Sequence, residues 1–373
     1  MPLTENKKMD NAKRYPCPLL YRPEDPAFGE SIRRFQGCPT IAVTPGGRVY
    51  VGWYSGGSRE PHIENYNLLI FSDDKGATWS EPLLVIPSDR ERLIHALDIQ
   101  LWCDGEGRLH VFWVQNNVKP APPVLPEAKA GQPIVAVEGY LFDDFRHAMW
   151  ETVCEDPDAK EPVFSEPRCL GDGFLRCKPL VTSGGRILYF NYEQTDPRYA
   201  YSISYDGGQT LERRYAGEKL ATAFDEGMAY ERRDGSIRAL FRTVKGELAE
   251  CLSTDGGESF SEARLSGIAS PNTRFYIART PTGRLLLINN DDRTERKNMT
   301  LYLSEDDGAT WPHRATFDTR TALSYPDADF KDGRILLVYD RERTGAREIL
   351  FLSCTEDDIV NNTVPNPTVI SKP

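Results

Sequence analysis

The residues able to do chemistry recur at one place in a repeating pattern. Gln36, His95 with Asp98, Arg176 with Lys178, Glu226, Arg274, and Tyr325 with Asp327 each stand just before or at the opening of an apolar, strand-like run. A ring of purely structural contacts would carry small or apolar residues there, so the recurrence marks a common site. The set is a phenol, carboxyls, an imidazole, an amine, an amide and guanidiniums. Carboxyls give and take protons, and one placed beside a phenol can make it a nucleophile. A polar loop, SREPHIENY, adds Glu60, His62 and Glu64. Glu60, Glu64, Asp98 or Asp327 are therefore candidates for an acid and base pair. His62 and His95 are two of only five histidines. No close-spaced ligand pair accompanies them, so no metal is expected. The chain has no glycine-rich phosphate loop, dinucleotide fingerprint or nucleophile elbow, and no cofactor is expected.

The elements that must position these residues are written as repeats. SEDDGATW at 304–311 recurs as SDDKGATW at 72–79, SYDGGQTL at 204–211 and STDGGESF at 253–260. All four follow a strand-like run and fit Ser-x-Asp-x-Gly-x-Thr/Ser before an aromatic or large apolar residue. The glycine suits a turn with positive φ, the Asp and Ser/Thr can bond nearby backbone N–H groups, and the closing aromatic can pack between units. The last three copies recur about every 50 residues, the length of one four-stranded sheet per repeat. The longer interval between the first two copies has room for one further unit with an insertion. Each unit opens with strand, glycine-containing turn and strand: 38–55, 97–115, 178–192, 227–243, 274–290 and 324–340. The fold class expected is all-β, a six-bladed β-propeller of four-stranded antiparallel blades. Residues 1–30 form an N-terminal arm able to supply a ring-closing strand. Residues 31–373 form one propeller domain, with 116–146 a Pro/Ala-rich loop inserted in the second blade above the ring.

Composition agrees with a β-rich, turn-rich protein: six Trp, seventeen Tyr, sixteen Phe, 29 Gly and 27 Pro in 373 residues. A net charge of −11 argues against non-specific binding to nucleic acid or anionic membranes. Eight scattered Cys show no CxxC pair, and most read as buried free thiols. The polar N-terminus has no apolar core of a signal peptide, and no run of eighteen apolar residues exists. A cytoplasmic protein is the expectation; the oligomeric state is not legible.

The four octapeptides resemble the Asp boxes of the sialidase (neuraminidase) superfamily, and the chain resembles that superfamily along most of its length. The resemblance implies a tyrosine nucleophile at the opening of the last blade, matched by Tyr325 in SYPDADFKDGRILLVYD, and an activating glutamate, matched by Glu226 in DEGMAYERRDG. It implies carboxylate-binding arginines at Arg242 in ALFRT and at Arg296, with Arg293 the neighbouring choice. Guanidinium suits that role because its planar fork binds both oxygens and stays charged. Two departures stand beside these matches. Where the family's first-blade arginine is expected the run is FQGCPTI, placing Gln36 or Gly37 there. The loop that carries the family's acid/base Asp has none, and offers Glu60, His62 and Glu64.

These residues imply an exo-glycoside hydrolase acting on a small, possibly acidic sugar conjugate. Its catalytic candidates are Tyr325, Glu226, Glu64, Glu60, His62 and Asp98. Its substrate-binding candidates are Arg242, Arg296, Arg274, Gln36, His95, Lys178 and Asp327. The missing first arginine and the two histidines leave open a lyase that removes the proton beside a uronate carboxylate. A non-catalytic carbohydrate-binding propeller is the third reading, since fold alone does not fix function.

Overall fold

The structure, a computed structural model, describes residues 10–127, 134–143, 147–222 and 224–373. The first nine residues of the expected arm, and residues 128–133 and 144–146 of the expected insertion, lie outside the described residues. Among the described residues the chain is all-β, with two short helices, Asn11–Arg14 and Glu356–Asn361. Six antiparallel sheets follow in chain order. Their opening strands are Gln36–Val43, Ile94–Cys103, Leu180–Val181, Gly227–Glu231, Tyr276–Arg279 and Leu323–Lys331. Each pairs next with the strand across its glycine turn, as the strand–turn–strand runs predict. Five sheets have four strands; the first has five.

The opening strands succeed one another. Leu180–Val181 packs on Gly227–Glu231, that strand on Tyr276–Arg279, and that in turn on Leu323–Lys331. Leu323–Lys331 returns to Gln36–Val43, which also packs on Ile94–Cys103. A small two-stranded sheet, Phe174–Leu175 with Asn191–Tyr192, joins the second sheet to the third. The core lies in the seams between sheets. Val51 and Leu68 of the first sheet share one apolar cluster with Leu336, Val338 and Phe351 of the sixth. All eight cysteines are free, and six are buried.

The four octapeptide turns share one set of hydrogen bonds. In the turn at 304–311, Ser304 Oγ donates to Asp306 Oδ1 (2.8 Å) and accepts from Gly308 N (2.8 Å), while Thr310 Oγ1 donates to Asp306 Oδ2 (2.6 Å). These turns dock on the neighbouring sheet through glycine and backbone as well as through the aromatic. The Tyr201 hydroxyl donates to Gly257 O (3.0 Å) and the Tyr230 hydroxyl to Asp307 O (2.9 Å). In the first turn Trp79 packs edge-on against Phe351 of the last sheet, ring centres 5.3 Å apart.

The arm packs on the first two sheets. Its strand Leu20–Tyr21 adds to the outer edge of the first sheet, beside Leu84–Pro87, and its helix packs on the second sheet. The opening strands of the first and last sheets meet in a seam that side-chain bonds cross. Asp327 Oδ2 accepts from Thr40 Oγ1 (2.7 Å) and Ile41 N (3.0 Å), and Asp329 Oδ2 accepts from Val43 N (2.8 Å). The described part of the 116–146 segment holds a three-stranded sheet, Lys119–Pro120, Val135–Val137 and Tyr140–Phe142.

Candidate active site

Three opening strands carry the same irregularity. Their registers shift between Gly37 and Thr40, between Leu97 and Gln100, and between Ser324 and Asp327. A residue with positive φ sits in each bulge: Cys38 (58°), Asp98 (53°) and Tyr325 (55°). Bulges re-aim a side chain at the cost of local pairing and strain. Arg274, fully buried, supports them from below. Its guanidinium donates to Arg176 O (2.8 Å), Pro39 O (2.9 Å), Tyr325 O (3.0 Å) and Pro326 O (3.2 Å). Three of these carbonyls, of Pro39, Tyr325 and Pro326, lie in the bulges of the first and last sheets, and one planar five-donor group satisfies all four together.

Above this plug lies a cavity of about 340 Å³, lined by Tyr325, Glu226, Arg242, Arg296, Glu60, Asp98 and His95 among others. Tyr325 hydroxyl donates to Glu226 Oε1 at 2.5 Å. Arg242 Nη1 donates to Glu226 Oε2 (2.8 Å) and to the Tyr325 oxygen (3.1 Å). Arg176 stands 3.1 Å from Asp98 and 3.8 Å from Glu226. Asn272 holds two of the arginines: its Oδ1 accepts from Arg242 Nε (2.7 Å) and its backbone oxygen from Arg296 Nη2 (2.8 Å).

Burial opposes charge on Glu226, but Arg242, Arg176 and the Tyr325 hydrogen bond hold its carboxyl below the usual range. Burial and then Glu226 push the Tyr325 phenol up, so the pair rests as neutral phenol and carboxylate. Glu60 behaves in the opposite way. Its side chain is 30% exposed at the cavity rim, yet burial of the carboxyl and the adjacent Asp98 push it up to about 7, against Arg343 and Arg176. Asp98 is also raised, by burial against the pull of Arg176 and with help from Glu226. His95 is lowered to about 3, by burial and then by His62 and His147. Arg296 is lowered by burial and by the neighbouring Arg343.

Several candidates lie elsewhere. Gln36 is buried with its amide bonded to Ser371 (3.1 Å) and Trp53 (3.1 Å). Lys178 pairs with Asp327 at 2.7 Å, beside the bonds between the first and last sheets and outside the cavity. Gln36 and Asp327 stand in strands whose bulges turn their neighbours, and not them, to the mouth, and Lys178 precedes the opening strand of the third sheet. Arg274 supports the cavity without lining it. His62 is buried in its own loop with Nε2 3.2 Å from Glu138, and Glu64 pairs with Arg90 (2.5 Å) over a separate hollow. Arg293 lies outward, 3.6 Å from Glu247, so Arg296 is the arginine of that pair that reaches the cavity.

Sequence reasoning missed Arg343, which follows the second strand of the last sheet and lines the cavity. Its guanidinium lies 4.2 Å from the Tyr325 ring centre. Nε donates to Asp340 (3.0 Å) and Nη1 to Glu60 (3.2 Å). It also missed the aromatic wall of Phe142, Phe174, Tyr192 and Phe224. Cys38, Glu60 and Asp98 bring ligand atoms within 4.8 Å of one another. The guanidiniums of Arg343 and Arg176 against Glu60 and Asp98 make that cluster a poor cation site.

Residues 158–329 match the BNR repeat-like domain family. A sialidase from Micromonospora viridifaciens is 26% identical over 335 residues, 84% of this chain and 50% of the relative. An anhydrosialidase from Macrobdella decora is 24% identical over 231 residues, 57% of this chain and 30% of the relative. These comparisons support the sialidase superfamily. The chain thus spans half or less of the length of these curated relatives. The NanB sialidase of Streptococcus pneumoniae superposes with a TM-score of 0.67 at 17% identity, covering 92% of this chain and 71% of that one. That likeness is one of fold, and the fold is sialidase-like.

Proposed function

We propose that the six sheets are the blades of a six-bladed β-propeller and that its cavity is the active site of a sialidase-like exo-glycosidase. The observation that carries this reading is the Tyr325 hydroxyl 2.5 Å from Glu226 Oε1, with Arg242 on both. The substrate class is a small acidic sugar conjugate. A cavity of about 340 Å³, lined by Tyr325 with Arg274 behind it, takes one sugar ring and leaves the rest of the conjugate outside. Arg242 and Arg296 face it, and their guanidiniums favour a carboxylate ligand.

In the first step Glu226 takes the phenolic proton as the Tyr325 oxygen bonds the anomeric carbon. Glu60 gives its proton to the departing glycosidic oxygen. In the second step Glu60 takes a proton from water, the water oxygen bonds the anomeric carbon, and Tyr325 leaves and recovers its proton from Glu226. A neutral phenol avoids the repulsion that a carboxylate nucleophile would meet beside a substrate carboxylate. The lyase reading asked more of the histidines. His62 does not line the cavity, and His95 gives its Nε2 to the Tyr54 hydroxyl (2.7 Å) and is a weak base near neutrality.

The test is incubation with sialyl and uronyl conjugates, following reducing sugar and near-ultraviolet absorbance together. Reducing sugar without new absorbance is expected, and Tyr325→Phe should lower its release by about 100-fold or more. An absorbing product would establish the lyase, and full hydrolysis by Tyr325→Phe would remove Tyr325 from the mechanism.

A further inference from the structure

Position 37 belongs to the opening strand of the first sheet, where a glycine is unexpected in an otherwise fully buried run. Its φ is not positive, so the backbone does not demand glycine. Space does. A Cβ there would lie 2.7 Å from Arg343 Cγ and Cδ and 2.8 Å from Nε. Real Cβ contacts are not that short, and the clashing atoms are the middle of the arginine, not its free end. Gly37 is therefore the recess through which Arg343, from the last sheet, reaches the cavity.

We propose that Arg343 is a substrate-binding residue that grips the ligand carboxylate together with Arg242 and Arg296, delivered from the sixth sheet through the recess at Gly37. The inference rests on the acidic-sugar reading of the cavity and adds the residue that makes it selective. Three features favour it over a purely structural arginine. Arg343 lines the cavity beside both other arginines and over the Tyr325 ring. Its bonds to Asp340, Glu60 and Ser324, the last at 3.4 Å, leave donors of the five-donor fork unspent. Arg296 is destabilised in its charged form by Arg343, and its one hydrogen bond goes to the neutral Asn272 O. An anion between the two guanidiniums relieves that repulsion. Asp340 and Glu60 hold the fork in place before the ligand arrives.

The experiment compares binding of N-acetylneuraminic acid with binding of its methyl ester, by calorimetry, in variants matched for thermal midpoint. The wild type should prefer the acid by about tenfold or more, and Arg343→Ala should lose most of that preference. Arg343→Lys should keep a part, having charge without the fork. Gly37→Arg combined with Arg343→Ala should regain preference, because the new side chain starts in the vacated recess. A folded Arg343→Ala with undiminished acid preference overturns the proposal and leaves the active-site reading standing. If that variant does not fold, Gly37→Ala decides. Its Cβ displaces Arg343 while Asp340 keeps a cation nearby, and unchanged preference there overturns the proposal. No preference in the wild type overturns both readings. Loss of preference in a protein that hydrolyses no sialoside supports Arg343 and removes the hydrolase.

Discussion

Glu60 and Glu226 are two carboxyls in one cavity whose surroundings drive them apart. Glu226 meets two guanidiniums and a phenol and stays ionised; Glu60 meets Asp98 and burial and titrates at about 7. A donor proton on Glu60 is present below that value, so hydrolysis should fall as pH rises through about 7. Glu60→Gln should remove this limb from the kcat profile and lower kcat by about 10²–10⁴ on poor leaving groups. A limb that persists near 7 in Glu60→Gln would dismiss Glu60 as the acid. The same titration bears on stability. The folded value lies above the ordinary carboxyl value of 4.5, so this contribution is complete below about 4.5 and is lost as pH rises through about 7. Thermal midpoints of wild type and Glu60→Gln should converge at low pH and separate above neutrality, with the wild type lower.

At the scale of the element, the bulged opening strands decide which side chains reach the mouth. Carbonyls of two of them, with that of Arg176, converge on Arg274, so Arg274→Met should cost at least about 2 kcal/mol in urea unfolding. A loss under about 0.5 kcal/mol would show that these carbonyls find other partners. The strand–turn–strand pairs and the octapeptide turns were legible because alternation and turn chemistry are local. Tyr325 and Glu226 were legible from position in the repeat. Gln36, Lys178 and Asp327 hold comparable positions, yet a one-residue shift in a strand sends a side chain to the other face, and no local pattern announces a bulge. Arg343 was hidden for a different reason. It reads as a charged turn residue, and its partner Glu60 is near the other end of the chain. The trace it left in the sequence was Gln36 or Gly37 where the resemblance places an arginine.

Across the whole molecule, the first and last sheets are bound through Asp327, which also neutralises Lys178. Asp327→Ala leaves Lys178 buried without its carboxylate and should lower stability by about 3–5 kcal/mol. Chemical denaturation checks this, and a change within about 0.5 kcal/mol would mean that the seam holds without it. Both sides of the same seam enter the cavity: Glu60 comes from the first sheet and Arg343 from the last. The proton donor and an anion-holding arm are thus tethered to opposite lips of a single join. Loosening that join by an ångström would separate them before any strand came undone, so turnover should fade ahead of unfolding on mild heating, with the join acting as a fuse for the chemistry it encloses.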